Sequence, residues 1–393
     1  MRASLVRRCR PGKVIASVDR ADPAGDSQWV DADVIDRIET FPLRIPFRPG
    51  ARPAAAGPAV DSLLVRVTTA QGAQGWGEAL GFEAAPAACR AVEDVVAPLC
   101  LGQDATRITA LMRTLAQRLH VLGRAGAVVH AASAVDIALW DIAGKAAGLP
   151  LHRLLGGGGA SLPCYASLDG RAGTGPVRTA VRDALQAGFS AVKLHERDVA
   201  VVRAARAEAG PDTRLMLDVN CAWSLGEARE KAAELADVRL AWLEEPLWPP
   251  ENVDGLARLR AACAVPLAAG ENVSTLLDFD RLTGAGAVDV VQPSPAKMGG
   301  VTELCKVFTV AAVRNVTVQP HTYYHGPGLL AAVHAAAALG PPGTMIEWRH
   351  SGLETRPYGA AFAPRDGRVA VPAGPGLGLD PDPEVLRAYR VKD

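Results

Sequence analysis

The chain has 393 residues, which is enough for one large barrel-like core and one companion domain. Its 42 Lys and Arg residues balance 42 Asp and Glu residues, so the overall charge predicts neither a nucleic-acid partner nor an anionic membrane surface. Seven cysteines without a C-x-x-C pair argue against a disulfide framework or a zinc cluster, and the longest apolar run, residues 329–339, is too short to span a bilayer.

Such a composition is typical of a soluble protein of the reducing cytoplasm, and the first 32 residues carry no clear targeting signal. They contain Arg7, Arg8 and Arg10 but no continuous apolar core, which argues against a secretory signal. An Arg-rich, acid-poor start is also compatible with a transit peptide. The prediction for residues 1–32 is a disordered or extended N-terminus.

Residues 33–158 predict an N-terminal α+β domain, because strand patterns come first and helical patterns follow. A hairpin turns at Gln71-Gly72, and the glycine run at 156–159 is interpreted as a hinge between domains. The elements are expected over 38–45, 62–69, 74–79, 84–99, 105–118 and 128–147. The Pro-rich loop from Phe47 to Val60 and the segment at Gly81-Phe82 are expected to close over a substrate as a lid.

From residue 159 onward, polar residues follow short apolar segments at one regular spacing. Asp218 comes after Leu215-Met216-Leu217, Glu244 follows 26 residues later, and Glu271 follows after 27 more. One strand, one helix and two short loops occupy about that length. The same spacing also reaches Leu168, Lys193, Ser294, His321 and Glu347.

Seven or eight units of this length predict a (β/α) TIM-type barrel over residues 159–355, whose C-terminal rim would collect the polar residues. Residues 356–393 are expected to return to the first domain as an extended tail. The fold class is therefore α/β, a barrel with an N-terminal α+β cap.

Asp218, Glu244 and Glu271 are the candidate metal ligands. Three carboxylates crowded at one end of a barrel require a positive charge among them. Oxygen donors without His or Cys favour a hard cation, and Mg²⁺ suits a site that leaves positions for substrate oxygens. The alternative is three separate carboxylates, each of which caps its own helix. Glu245 is expected to point away, since it neighbours Glu244 on the strand.

Basic residues at the rim are candidates for acid and base chemistry. Lys193 and His195 lie two apart on one strand and therefore share a face, and each is expected to lower the proton affinity of the other. His321 is placed on the opposite side of the centre by its position in the repeat. Glu347 is expected either to donate a hydrogen bond, if its pKa is raised, or to pair with Arg349.

These residues resemble the enolase superfamily, in its mandelate racemase/muconate lactonizing enzyme branch, over roughly residues 35–380. The resemblance rests on seven segments, which are Ser133 to Asp141 with Gly144-Lys145, Leu155-Gly156-Gly157, Lys193-Leu194-His195, Asp218-Val219-Asn220, Glu244-Glu245-Pro246, Gly270-Glu271-Asn272 and Lys297 to Thr302. It implies a capping domain over a modified barrel and Mg²⁺ held by the three acids. It also implies removal of the proton next to a metal-bound carboxylate, with Asn220 as a substrate or supporting contact.

Two positions depart from the family pattern. His195 stands where the family usually has the second lysine of K-x-K, and Ser294 stands where relatives carry an aspartate or a lysine. His321 therefore lacks a supporting carboxylate, so the role of general acid is at least as plausible as that of base. An unsupported histidine suits protonation of a departing hydroxyl, which favours dehydration of a sugar acid by way of an enediolate.

Several alternatives stay open on the sequence alone. A racemase, an epimerase or a cycloisomerase would use the same intermediate, and a catalytically silent binding homologue belongs to another class. A metal-dependent hydrolase would need an H-x-H motif at the end of the first barrel strand, where Tyr165-Ala166-Ser167 offers none. The expected partner is a small-molecule carboxylate, and a homo-oligomer is the expected assembly.

Overall fold

The computed structural model describes residues 15–16, 33–49, 57–170 and 173–391. Apart from residues 15–16, the segment 1–32, which was predicted as disordered or extended, lies outside the described residues. Residues 50–56 of the predicted lid also lie outside them. The N-terminal part is an antiparallel sheet in the order β1-β2-β3-β4. Its strands are β1 (Ile15–Ala16), β2 (Ile35–Pro46), β3 (Ala59–Thr69) and β4 (Gln74–Ala79).

Helical segments follow this sheet along the chain. They are α1 (Ala85–Arg90), a π-helical segment (Ala91–Val96), α2 (Ala97–Cys100), α3 (Ile108–Arg118), α4 (Ala127–Ala146) and α5 (Leu151–Leu154). Of these, α1, the π-helical segment and α4 pack against the sheet. Gly75 and Gly77 on β4 lie so close to α4 that a Cβ at either position would clash with its backbone. Helix α4 is long and apolar enough to cross a membrane, but 61% of that window is buried, as in a core helix.

The second part is a curled sheet of eight parallel strands in the order β11-β10-β9-β8-β7-β6-β5-β12. The strands are β5 (Ser161–Ser167), β6 (Ala191–His195), β7 (Arg214–Asp218), β8 (Trp242–Glu244), β9 (Leu267–Ala269), β10 (Val290–Val291), β11 (Thr317–Val318) and β12 (Ile346–Arg349). The connecting helices are α6 (Thr174–Gln186), α7 (Val199–Ala209), α8 (Leu225–Glu234), α9 (Val253–Arg260), α10 (Leu276–Gly284), α11 (Pro295–Met298), α12 (Gly300–Arg314) and α13 (Pro327–Leu339). The predicted barrel fold is thus confirmed.

Neighbouring strands of the barrel are joined by backbone hydrogen bonds except β11 and β12, the two ends of the strand order. Among the described residues, side-chain hydrogen bonds close the barrel between these two strands. The Gln319 side-chain amide donates to the Gly343 carbonyl at 3.2 Å and accepts from the Met345 N–H at 2.6 Å. The Thr322 hydroxyl donates to the Glu347 carbonyl at 2.6 Å. This closure binds the segment that carries His321 to the strand that carries Glu347.

The capping domain and the barrel meet through buried carboxylates. Glu78 at the end of β4 accepts the N–H groups of Gly326 and Gly328 at 2.9 and 3.0 Å, at the start of α13. Asp136 on α4 accepts the Thr302 N–H at 3.0 Å, at the start of α12. Both acids lie at helix N-termini, where the helix dipole favours negative charge.

The C-terminal segment contacts both parts of the molecule. Its strand β13 (Arg368–Ala370) pairs antiparallel with β5, and α14 (Pro383–Tyr389) packs near β2. Between them, Leu377 donates its N–H to the buried carboxylate of Asp141 at 2.8 Å.

Candidate active site

Three acidic side chains converge at the C-terminal ends of neighbouring barrel strands. Asp218 ends β7 and Glu244 ends β8, and the two residues face each other in the parallel register. Glu271 follows β9 after Gly270, whose φ of 140° turns the chain against the backbone of Gln292. One carboxylate oxygen of each acid lies within 4.8 Å of the other two. The three acids of the repeat therefore form one group.

The donor set of this group fits a hard divalent cation. Asp218 and Glu244 are buried, and Glu271 is partly buried. All three offer carboxylate oxygens, and burial of three such charges is costly unless positive charge lies among them. The Trp242 indole N–H donates to Oε2 of Glu244 at 2.9 Å and leaves its other oxygen directed into the group.

Glu245 points away from this group, as strand alternation predicts. Its Oε2 accepts from the Asn272 side-chain amide at 2.7 Å and from the Cys221 thiol at 3.2 Å. The Lys297 ammonium in turn donates to the Asn272 carbonyl oxygen at 3.2 Å. Glu245 therefore supports the rim from outside the three-acid group.

Lys193 is buried among carboxylates. Its ammonium lies 2.6 Å from Oε1 of Glu244, 2.9 Å from Oε1 of Glu347 and 3.4 Å from Oδ2 of Asp218. Burial alone would lower the pKa of this amine, but the charges of Glu244 and Glu347 outweigh it and raise the pKa well above its ordinary value. Lys193 is a fixed positive charge, and the expectation of a lowered proton affinity is wrong for it.

His195 lies at the end of β6, opposite Asp218 in the register. Its Nδ1 lies 2.7 Å from the Leu168 carbonyl, which can only accept, so the Nδ1–H is the donor. Nε2 therefore faces the site and lies 3.2 Å from Oδ2 of Asp218. Burial lowers the pKa of the imidazole and Lys193 also lowers it, as expected, but the hydrogen bond and charge of Asp218 outweigh both and raise the pKa to about 9, so the expected net lowering is wrong.

His321 approaches the group from the other side. Its Nε2 lies 2.7 Å from Oε2 of Glu271, and its Nδ1 lies 3.3 Å from the Ser294 hydroxyl. Burial lowers the pKa of His321, but the Glu271 charge outweighs it and raises the pKa. The Tyr324 hydroxyl donates to the His321 carbonyl at 3.1 Å and lies 3.2 Å from the Ser294 hydroxyl.

Glu347 differs from its prediction in both respects. It does not pair with Arg349, because its Oε1 meets Lys193 and its Oε2 accepts the Thr322 N–H at 3.1 Å. Burial would raise its pKa, but the charges of Lys193 and His321 outweigh burial and lower the pKa. Glu347 is therefore an ionised acceptor, and the expectation of a protonated hydrogen-bond donor is wrong.

The rim opens into a cavity of about 950 Å³ between the barrel and the capping domain. His195, Asp218 and Asn220 line it from the barrel, and Phe47 and Phe82 line it from the predicted lid segments. Asn220 has a φ of 47°, and its N–H donates to Oδ1 of Asp218 at 2.8 Å. Asn220 is exposed and lines this cavity.

A second polar cluster in this cavity was missed by sequence reasoning. Tyr323 and Arg349 both donate hydrogen bonds to Asp169, although 180 residues separate Asp169 from Arg349. Asp169 comes one residue after Leu168, and Arg349 comes two residues after Glu347. The repeat spacing therefore pointed to the two chain segments that contain them, but not to the pair. Only three-dimensional contact joins them.

Comparison with known protein families and structures gives consistent results. Residues 46–156 match the mandelate racemase / muconate lactonizing enzyme N-terminal domain, and residues 176–385 match the family described as enolase C-terminal domain-like. The matches cover β3, β4 and the helices of the capping domain, and the acidic rim.

Characterised relatives match nearly the whole chain. The 3,6-anhydro-alpha-L-galactonate cycloisomerase of Streptomyces coelicolor is 33% identical over 90% of this chain and 98% of the relative. The D-galactonate dehydratase of Ralstonia pickettii is 32% identical over 84% of this chain and 91% of the relative. The crystal structure of a racemase from Streptomyces coelicolor A3(2) with bound magnesium superimposes with a TM-score of 0.80 at 32% identity, over 91% of this chain and all of that chain.

Proposed function

The chain belongs to the mandelate racemase/muconate lactonizing enzyme family of the enolase superfamily, and from that premise we propose that it dehydrates a sugar acid. The reaction removes the proton alpha to the carboxylate and then the beta-hydroxyl, and the resulting enol becomes a 2-keto-3-deoxy acid. The dehydratase relative supports this choice within the family.

One observation carries the proposal, namely that basic groups approach the three-acid group from two sides. Nε2 of His195 lies 3.2 Å from Asp218, and Nε2 of His321 lies 2.7 Å from Glu271. A substrate carboxylate held at the acids would then have one imidazole on each face of its alpha carbon. Two such groups allow one to take a proton while the other delivers one.

Asp218, Glu244 and Glu271 would hold the cation, for which Mg²⁺ is the choice that the oxygen donors favour. When bound, it supplies positive charge that stabilises the extra negative charge on the substrate carboxylate. The solved racemase with bound magnesium supports this assignment.

Lys193 and His195 would act on the alpha proton. The Lys193 ammonium is fixed beside Glu244 and Glu347, so it offers permanent positive charge where the enediolate develops. His195 is oriented by its Nδ1–H bond to Leu168, so Nε2 is the atom that would take the proton. A cation held at Asp218 would offset the carboxylate charge that raises the pKa of this imidazole, and the ring would then be neutral with its lone pair on Nε2. His195 is therefore the proposed base.

His321 is the proposed general acid. It stands beside the carboxylate of Glu271, and the neighbour of its Nδ1 is the neutral Ser294 hydroxyl. A protonated imidazole in this position can donate its Nε2 proton to a departing hydroxyl, which leaves as water. Glu347 stays ionised and holds both Lys193 and the Thr322 N–H in place.

Cycloisomerisation is the second candidate. For an anhydro sugar acid, the same enediolate can break the bond between the beta carbon and the ring oxygen, which takes up a proton and stays in the product as a hydroxyl, while the resulting enol takes up a proton at carbon; the cycloisomerase relative supports this route. Racemisation or epimerisation would follow if His321 returned the proton to the alpha carbon. All three outcomes need the same two histidines.

Proton NMR in deuterated water with Mg²⁺ separates these outcomes on a panel of sugar acids and anhydro sugar acids. Dehydration predicts a 2-keto-3-deoxy acid that has one water fewer than its substrate and carries deuterium at C3. Recovery of substrate with deuterium and inverted configuration, without keto acid, would overturn dehydration in favour of racemisation. A product of unchanged formula, apart from exchanged deuterium, whose ring has opened or closed would favour cycloisomerisation.

The assembly and the compartment are also proposals. The proposed assembly is a homo-oligomer, and most soluble oligomers are homo-oligomers with closed point-group symmetry. Five cysteines of the described part of the chain, Cys100, Cys164, Cys221, Cys263 and Cys305, are free thiols, which supports a reducing cytoplasm.

A further inference from the structure

We infer that Asp169, Tyr323 and Arg349 form a subsite for a hydroxyl group of the substrate chain, and that the enzyme therefore prefers aldonates to aldarates. This inference rests on the proposed function and specifies its substrate class. An aldonate has one carboxylate and a hydroxylated chain, whereas an aldarate has a second carboxylate at the far end.

The subsite is built from three side chains that share one carboxylate oxygen. Nε and Nη2 of Arg349 both donate to Oδ1 of Asp169 at 3.1 Å, and the Tyr323 hydroxyl donates to the same atom at 2.8 Å. The Arg349 guanidinium also lies 4.0 Å from the centre of the Tyr323 ring. Arg349 is 3% exposed and Asp169 is 6% exposed, so the cluster is fixed in position.

This arrangement leaves one donor and one acceptor without a partner. Nη1 of Arg349 and Oδ2 of Asp169 are buried, and neither has a hydrogen bond within the described structure. Unpaired buried polar atoms destabilise a folded protein, which makes them candidates for contact with a ligand. Hydroxyl groups both accept and donate, so a hydroxylated chain offers a partner to each of the two atoms.

The cluster belongs to the same cavity as the reacting groups. Asp169, Tyr323 and Arg349 line the cavity together with His195 and Asp218. The Tyr323 ring centre lies 5.9 Å from that of His195 and 6.3 Å from that of His321. A substrate whose carboxylate lies at the three acids would therefore direct its hydroxylated chain along Tyr323 toward Arg349.

The charge of the cavity argues against a second carboxylate. The Arg349–Asp169 pair is neutral as a unit, because the arginine already has a counterion. The other charged residues of the described lining are Asp61, Glu83, Glu196, Asp198, Arg44 and Arg197, in which acids outnumber bases. Arg44 is itself committed to Asp61 at 2.7 Å. A second substrate carboxylate would meet like charge there.

The test compares alpha-proton exchange and kcat/KM for pairs of the same configuration, galactonate with galactarate and gluconate with glucarate. The wild-type enzyme is expected to favour the aldonate of the active pair at least tenfold. An aldonate that lacks a hydroxyl on its chain should have a kcat/KM at least tenfold lower with the wild-type enzyme. This measurement needs no substituted enzyme. Equal or better turnover of the aldarate would overturn the inference.

Asp169→Asn tests the origin of the preference. The variant leaves Arg349 without a counterion, so the ratio of kcat/KM should shift at least tenfold toward the aldarate. Asp289→Asn is the matched control, since Arg260 donates to Oδ1 of Asp289 through Nε and Nη2 at 2.9 and 2.7 Å, before β10 and away from the cavity. An unchanged ratio in Asp169→Asn would overturn the subsite.

Exchange itself separates this inference from the proposed function. If no acid exchanges its alpha proton, the proposed function fails and the subsite fails with it. If acids exchange without preference for the aldonate, the proposed function stands and the subsite alone is wrong.

Discussion

The hydroxyl oxygen of Ser294 lies 3.3 Å from Nδ1 of His321, on the side of the ring that faces away from the three-acid group. Ser294 is buried, and its hydroxyl also lies 3.2 Å from that of Tyr324, so its position is fixed. A hydroxyl orients the imidazole but adds no negative charge behind it. In this position a carboxylate would stabilise the imidazolium and strengthen His321 as a base.

Ser294→Asp is therefore expected to change the outcome of the reaction. The added carboxylate should raise the basicity of His321, so proton exchange on its face should increase relative to dehydration. The measurement is the ratio of deuterated, inverted substrate to keto acid, by NMR. Ser294→Ala is the control and should lower dehydration about tenfold without raising that ratio, as loss of one orienting hydrogen bond implies. Equal ratios in the two variants would contradict this account of Ser294.

Neighbouring glutamates should differ sharply in metal binding. Glu244→Gln removes a ligand of the proposed cation, whereas Glu245→Gln changes a residue that faces Asn272 and Cys221. Mg²⁺ at about 100 times its Kd should stabilise the wild type by about 2.7 kcal/mol. The same stabilisation is expected in Glu245→Gln and should be lost in Glu244→Gln. Thermal unfolding with and without Mg²⁺ measures both, and equal responses would place the cation elsewhere.

Lys193→Met should destabilise the protein most when no divalent cation is present. The substitution leaves Asp218, Glu244 and Glu347 buried without their shared ammonium. Removal of one partner from a buried ion pair costs about 3–5 kcal/mol. Urea unfolding in EDTA should show this loss, and excess Mg²⁺ should recover part of it.

The control for that variant is Lys231→Met, whose ammonium pairs at 3.1 Å with the half-exposed Glu234 on the barrel surface. Such a pair contributes no more than about 1 kcal/mol. If the two variants lost equal free energy of unfolding, Lys193 would not be the main counterion of the buried acids.

Glu78 should make stability fall as the pH rises. Burial raises its pKa to about 8, although the N–H groups of Gly328 and Gly326 act in the opposite direction. In the unfolded chain the pKa of a glutamate is about 4.3. Between those values the folded state binds the extra proton, so the free energy of unfolding decreases with pH by up to about 1.4 kcal/mol per unit.

Glu78→Gln keeps an oxygen for the same N–H groups but does not titrate. Its free energy of unfolding should therefore fall less steeply than that of the wild type between pH 5 and pH 8. Urea denaturation at each pH unit provides the comparison. Parallel slopes for the two proteins would show that Glu78 does not titrate in this range.

The sequence predicted the parts of this structure that follow from regular spacing. The intervals of 26 and 27 residues from Asp218 to Glu244 to Glu271 reflect one strand and one helix each, so side chains at that period meet at one rim. The same reasoning placed Lys193 and His321 at the rim. The position of a residue within a repeat follows from the spacing along the chain, so it can be deduced from the sequence alone.

Proton affinities and long-range pairs could not be predicted in this way. Glu347 was expected to have a raised pKa or an arginine partner, but the fold places Lys193 beside it. Arg349 pairs instead with Asp169, and Gln319 closes the barrel by its side chain. Each of these outcomes depends on which charges surround a group in three dimensions, and chain spacing contains no such information.

Alpha-proton exchange in deuterated water with Mg²⁺ tests the central claim most directly, measured by NMR on wild-type enzyme and on His195→Asn. The account predicts that the wild type exchanges the alpha proton of a sugar acid and that His195→Asn does so at least about 10²-fold more slowly. Mg²⁺ should still stabilise the variant against unfolding. Exchange at the wild-type rate in folded His195→Asn would contradict the assignment of His195 as base. Absence of exchange by the wild type on every sugar acid would contradict the account as a whole.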